Sequence, residues 1–337
     1  MRMGRPRKSE KHLPNKVYHR HGAYYFVDAN GKWIRLGNTP AEMYRRYADF
    51  VEDGPMETMD DVFTKYAAEV VPLKAERTQK DNAVEMKILR SVFGQMKPGE
   101  LRPKHVYGFY NKRSQQSLAC ANREVALLSH VLTKAVEWGL VDTNICKQVR
   151  KHRPEPRNRY VEDWEYAAAR RTMPETFAVA MDLIILTGLR PGDVLQLSRN
   201  HLTEQGILIT PNKTRRARPD GRLSQGKALL IEWSDELRAV VETAKKIQPR
   251  FRQAIICNKQ GRHYSVGGFN SIWYRYMRKA VNDPENPLHE PFQFRDLRAK
   301  SASDDTAEAA TARLGHTSSQ ITERVYRRRA RRVKPLR

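Results

Sequence analysis

Cysteine is scarce in this chain and long apolar runs are missing. The 337 residues include three cysteines, Cys120, Cys146 and Cys257, an odd number set far apart. That usage fits neither a disulfide framework nor any metal-ligand spacing, so a reducing, cytoplasmic setting without structural zinc is expected. No apolar stretch reaches the roughly 18 to 20 residues that a spanning helix needs, and no signal-peptide pattern opens the sequence. Solenoid repeats, a P-loop and a serine-triad motif are absent as well. Acidic residues are also in short supply: 38 Asp and Glu face 62 Lys and Arg, a formal charge of +24. A chain so basic is expected to bind a polyanion, and without a membrane segment that partner is nucleic acid.

Length alone predicts two or three domains. Residues 1–54 read as a small unit: a basic arm containing Gly4-Arg5-Pro6-Arg7-Lys8, then aromatic and β-branched runs, Val17 to Val27 and Lys32 to Gly37, around the turn dipeptide Asn30-Gly31. Arg5, Arg7 and Lys8 are the kind of residues that enter an AT-rich minor groove. Residues 55–146 show helical periodicity, with segments Val62 to Val70, Thr78 to Phe93, Lys104 to Arg113 and Cys120 to Trp138. The stretch 147–159 carries Arg150, Lys151, Arg153 and Arg157, and its Pro154 and Pro156 forbid a regular helix, so it reads as a basic linker along DNA. Residues 160–337 form the largest unit, mostly helical, with strands near Gly206 to Thr210 and Ala228 to Trp233. Trp233, Trp273, Tyr274 and Tyr276 fall at spacings that fit core packing.

Within that last unit the chemistry-bearing residues come in boxes. Leu186-Thr187-Gly188-Leu189-Arg190-Pro191-Gly192-Asp193 ends an apolar helix at a glycine and sets Arg190 at the start of the next, where anions are favoured. Arg295-Asp296-Leu297-Arg298 puts two arginines three apart, on one helical face. Leu314-Gly315-His316 follows, and then Tyr326 stands among Arg324, Arg327, Arg328 and Arg329, cations that favour a phenolate. Together these supply a hydroxyl nucleophile and cations for two non-bridging phosphate oxygens. Each box alone has an ordinary structural account, Arg190 as an ion pair with Asp193 for instance; their joint order is the signal.

In that order the chain resembles the tyrosine recombinases, and within them the phage integrases. The resemblance implies an α+β, predominantly helical fold: a small N-terminal β-sheet domain for arm sites, a helical, SAM-like core-binding domain, and a catalytic domain with a small inserted antiparallel sheet. It assigns Arg190 and Arg298 to clamping the scissile phosphate, His316 to hydrogen-bonding it and Tyr326 to nucleophilic attack. Lys213, at a strand end, resembles the general-acid lysine, with Lys227 as the alternative. Two departures stand out. Arg295 replaces the usual histidine; it cannot accept a proton at neutral pH and as a catalytic residue would instead add positive charge near the phosphate, while His289, nearby, is off the motif. Tyr326 lies ten residues after His316, where the family usually has nine. Arg215 and Arg216, in the long hairpin connection, and Lys227 beyond it are further candidate DNA contacts.

The activity implied is DNA breakage and rejoining through a 3′-phosphotyrosine, integrating or excising a phage or mobile element. It requires neither ATP nor a divalent metal, no cofactor, and works as a homotetramer on double-stranded DNA, with DNA-bending and directionality proteins as further partners in a bacterial cytoplasm. The alternatives are a type IB topoisomerase and a non-catalytic DNA-binding protein that keeps the fold.

Overall fold

The computed structural model describes residues 13–14, 16–28, 31–48, 56–211, 226–247, 252–285 and 288–330. These divide into two compact units, one running through Glu155 and the other beginning at Pro156. The division falls inside the proline-containing basic stretch 147–159.

The first unit opens with an antiparallel sheet of order β1 (Val17–Arg20), β2 (Ala23–Val27) and β3 (Trp33–Gly37). The run read from Val17 to Val27 is two strands, because His21 and Gly22 both take positive φ, 50° and 74°. Such a two-residue loop matches the twist of a hairpin. Strand alternation sorts the side chains: Val17, Phe26 and Leu36 pack against Met43 and Tyr47 of helix α1 (Pro40–Ala48). Tyr18 and Trp33 are left on the opposite, exposed face, with Arg20 stacked over the Trp33 ring at 4.8 Å.

Helices α2 (Met59–Glu69), α3 (Glu76–Phe93) and α4 (Pro103–Glu137) follow. A capping box between Thr58 and Asp61 starts α2. α4 is the two helices predicted between Lys104 and Trp138, separated by a kink at Ser117, whose φ of −162° and ψ of 106° are extended. Arg113 reaches across the break to fork both oxygens of Glu124, at 2.9 to 3.1 Å. Phe63, Tyr66, Leu89, Phe93, Tyr110 and Leu128 form this unit's core.

The second unit contains α5 (Asp163–Thr172), α6 (Glu175–Thr187), α7 (Pro191–Leu195), β4 (Gly206–Ile209), β5 (Leu229–Glu232), α8 (Asp235–Ile247), α9 (Val266–Val281), α10 (Asp296–Ser303) and α11 (Ala307–Leu314). β4 and β5 form an antiparallel pair with Leu208 opposite Leu230. An aromatic cluster organises the core: Phe177 stacks on Phe269 at 4.4 Å, and Trp273 donates from Nε1 to the Phe292 carbonyl at 3.0 Å. Trp273 is buried as predicted; Tyr274 is instead 47 % exposed, since it follows Trp273 on α9 by one residue and so points off the core face. Phe292 and Phe294, wedged into the cluster, anchor the strand of chain leading into α10. Every residue of α10 is buried, including Asp296, Arg298 and Lys300. Charges in such a place must be paired, and how they pair defines the site.

Among the described residues no helix is long and apolar enough to cross a membrane.

Candidate active site

α6 is almost wholly apolar and ends where Gly188 turns left-handed, φ 61°. An added Cβ there would press on Arg313 and Leu314 at 3.3 Å, so glycine satisfies both the backbone sign and the space. The turn exposes the Gly188 carbonyl to the guanidinium of Arg298, which donates to it through Nη1. Nη2 of Arg298 donates to the Leu314 carbonyl at 3.2 Å and lies 3.2 Å from His316 Nε2. The Arg298 guanidinium sits over the Tyr326 ring at 5.1 Å, and the His316 ring lies 5.0 Å from that ring. Tyr326 itself packs on Ala302, Ala310 and Leu314 of α10 and α11. Three of the predicted residues, Arg298, His316 and Tyr326, are thus in mutual contact.

Arg190 caps α7 and is partly exposed, its Nη1 4.0 Å from Asp193 Oδ2, the limit of an ion pair. Its charge is near enough to be felt by both Arg298 and His316. Burial, and then the neighbouring charge of Arg190, lowers Arg298 to about 10, with the Tyr326 phenol opposing the fall; the guanidinium stays positive at neutral pH. Burial, then Arg298 and Arg190, lower His316 from the ordinary 6.5 to about 4. The imidazole is therefore neutral. A guanidinium only donates, so Nε2 accepts from Arg298 and Nδ1 carries the proton, donated to Thr322 Oγ1 at 2.9 Å. Thr322 is fully buried and also within 3.1 Å of Thr311 Oγ1. Nothing in the motif pattern marks it, although its position on one turn with Tyr326 would have been the signal.

Below pH 6.5 the unfolded chain takes up a proton at His316 that the folded site resists, so the contribution is complete above 6.5 and is lost as pH falls toward 4. The loss is on the order of 2 kcal/mol for a partly buried group. Urea melts at pH 7 and pH 4.5 are expected to show that difference between wild type and His316→Gln; equal pH slopes would contradict the neutral imidazole.

The ten-residue spacing is resolved by the backbone. Residues Thr322–Tyr326 form a π-helical turn, closed by the Arg327 N–H on the Thr322 carbonyl at 3.0 Å. A π turn takes in one residue more than an α turn, which accounts for the extra position between His316 and Tyr326.

Around this centre lies a second layer of charge. Asp296, fully buried, accepts a fork from Arg157 at 2.8 to 3.1 Å, Arg328 Nη1 at 2.8 Å and the Gln293 N–H at 2.9 Å. Burial alone would raise its carboxyl, but these donors hold it below the ordinary value. Lys300 pairs with Asp163 and with Asp304 at 2.9 Å; burial opposes its charge, and the two carboxylates with Tyr160 raise it nonetheless. Arg295, by contrast, is exposed at the N-cap position just before α10 and does not join the Arg298 cluster. Of the residues predicted to touch DNA, Arg150, Lys151, Arg153 and Lys227 are exposed, while Arg157 is engaged with Asp296. Arg5, Arg7, Lys8, Lys213, Arg215 and Arg216 lie outside the described residues. His289 stacks edge-on against Trp164 at 5.2 Å.

No family profile and no curated protein sequence matches the chain. Solved structures do. A lambda integrase dimer bound to a COC′ core site superposes with a TM-score of 0.67 at 20 % identity, covering 99 % of each chain. A lambda integrase tetramer bound to a Holliday junction gives 0.67 at 19 % identity over 98 % of this chain and 99 % of that one. The Tn1549 transposon integrase in complex with a circular intermediate DNA gives 0.66 at 12 % identity over 79 % of this chain and 94 % of that one. These are tyrosine recombinases, and the chain has their fold over nearly its whole length.

Proposed function

We propose that this protein is a site-specific DNA recombinase that breaks and rejoins DNA through a phosphotyrosine at Tyr326. The observation that carries the reading is the packing of one phenol against a buried, still-charged guanidinium, Arg298, with a neutral His316 at its side. Arg298 and Arg190 supply the positive charge that stabilises a phosphorane-like transition state. The Tyr326 oxygen, giving up its proton to water, attacks a DNA phosphate; the bond to the 5′-oxygen breaks, that oxygen leaves with a proton from Lys213 or Lys227, and the 3′-phosphotyrosine keeps the bond energy for rejoining. Arg295, being exposed, is assigned to DNA charge contacts and not to proton transfer. Integration or excision of a mobile element, by a homotetramer on two duplexes, is the role that fits the integrase fold. Residues 1–54 are assigned to arm sites, 55–146 to core binding, 147–159 to a linker along DNA, and 160–337 to catalysis. The exposed aromatic and arginine face of the N-terminal sheet, Tyr18, Arg20 and Trp33, suits that first assignment.

The test is a nicked suicide substrate in EDTA followed by denaturing electrophoresis: a covalent protein–DNA adduct is expected. Its absence with a duplex the protein binds would leave a DNA-binding protein that keeps the fold. Arg190→Ala is expected to lower adduct formation by roughly 100-fold or more, while DNA affinity, spread over many phosphates, changes little. Gel shift and single-turnover cleavage read the two effects separately, and parallel losses would contradict the assignment.

A further inference from the structure

We infer that Arg328 and Asp296 are positioning residues that set Tyr326 against its own chain's Arg298. The inference rests on the recombinase reading above. Tyr326 ends its π turn, and the chain leaves it extended, with Arg327 at φ −83° and ψ 98°. Nothing in that backbone alone would hold the phenol under the guanidinium.

The next residues do hold it. The Arg328 backbone N–H donates to Ser303 Oγ at 2.8 Å, and Ser303 Oγ is also 3.0 Å from the Tyr326 carbonyl. The Arg328 side chain, 11 % exposed, reaches inward to Asp296 Oδ1 at 2.8 Å and the Arg159 carbonyl at 3.0 Å. Asp296 lies two residues before Arg298 on α10, and Arg328 two residues after Tyr326. One ion pair therefore ties the segment carrying the phenol to the helix carrying the guanidinium. Arg329 extends the attachment, 3.6 Å from Asp304 and over the Tyr160 ring at 5.8 Å.

The alternative account is a buried ion pair that serves folding only. Its geometry argues otherwise: Asp296 is already forked by Arg157 and bonded by the Gln293 N–H, so its charge is satisfied without Arg328. What Arg328 adds is a fixed register for the tyrosine segment. A misplacement of about 1 Å at a reacting atom costs on the order of 100-fold in rate.

The experiment separates the nucleophile from the phosphate pocket. Arg328→Ala is expected to slow adduct formation roughly 10- to 100-fold, with Arg328→Lys, which keeps the charge but not the planar guanidinium that serves both Asp296 and the Arg159 carbonyl, intermediate. In a Tyr326→Phe background hydrogen peroxide is then supplied as an outside nucleophile, and its strand cleavage is expected to be the same within about twofold with or without Arg328→Ala, because the arginine clamp is intact. An Arg328→Ala adduct rate equal to wild type would overturn the inference. So would a peroxide cleavage that falls in step with the adduct, which would place Arg328 in support of the pocket. A wild type that forms no adduct would remove the recombinase reading, and this inference with it.

Discussion

Tyr326→Phe is expected to form no covalent adduct at all on a suicide substrate, while binding the same duplex as tightly as wild type. The ring is the part that packs, on Ala302, Ala310 and Leu314 and beneath Arg298, and phenylalanine keeps it. Only the oxygen is lost. Stability should stay within about 1 kcal/mol of wild type, so a null result cannot be blamed on unfolding. Competing hydroxyls are committed elsewhere: Thr322 is buried against His316 and Thr311, and Tyr160 donates to Asp304. Labelled DNA retained on protein after denaturation is the measurement, and an adduct surviving in Tyr326→Phe would move the nucleophile to another residue.

The second large effect belongs to Arg298→Ala, and it differs in kind. On the proposed reading Arg298 binds the phosphate, and it is also part of the core. Its guanidinium satisfies the buried carbonyls of Gly188 and Leu314 and the Nε2 of His316. Removing it deprives the transition state of a preorganised cation, a loss of about 1000-fold in cleavage, and strands two carbonyls, costing about 2–4 kcal/mol of stability. Arg298→Lys keeps the charge but cannot serve both carbonyls and the imidazole, so it should recover little. A further sign follows from the charge itself. With Arg298 gone, one of the influences that depress His316 disappears, and its NMR titration should move from about 4 back toward the ordinary value. Urea melts and single-turnover cleavage check the pair of effects; an Arg298→Ala protein as stable as wild type would mean that the guanidinium is not seated as described.

That Arg298, His316 and Tyr326 come together, with the charge of Arg190 near them, was legible from the order of their short boxes, two of which follow a helix-ending glycine, Gly188 or Gly315, that shapes the backbone locally. Helices α2, α3 and both halves of α4 were legible too, since an apolar stripe repeats along each, whereas α1 was not. What could not be read is whom each charge serves. Arg157 and Arg328 look, in one dimension, like any other arginine in a basic run, yet both turn inward to Asp296. Charge counts report the field a chain projects; they do not report which guanidinium is consumed at home. Thr322 was invisible for a similar reason, as a hydroxyl becomes informative only when something is buried against it. The hairpin at His21-Gly22 is hidden in the sequence because histidine at positive φ is uncommon and carries no turn signature.

The π turn at Thr322–Tyr326 bears on how such a site tolerates change. A wider hydrogen-bonded ring swallows an added residue on the spot, so the chain before it, which holds the imidazole, and the chain after it, which is moored at Arg328, keep their phase. The distance from histidine to tyrosine is thus counted in helical rings and not in residues. An insertion that looks like a lesion in the motif becomes, in three dimensions, a change of pitch.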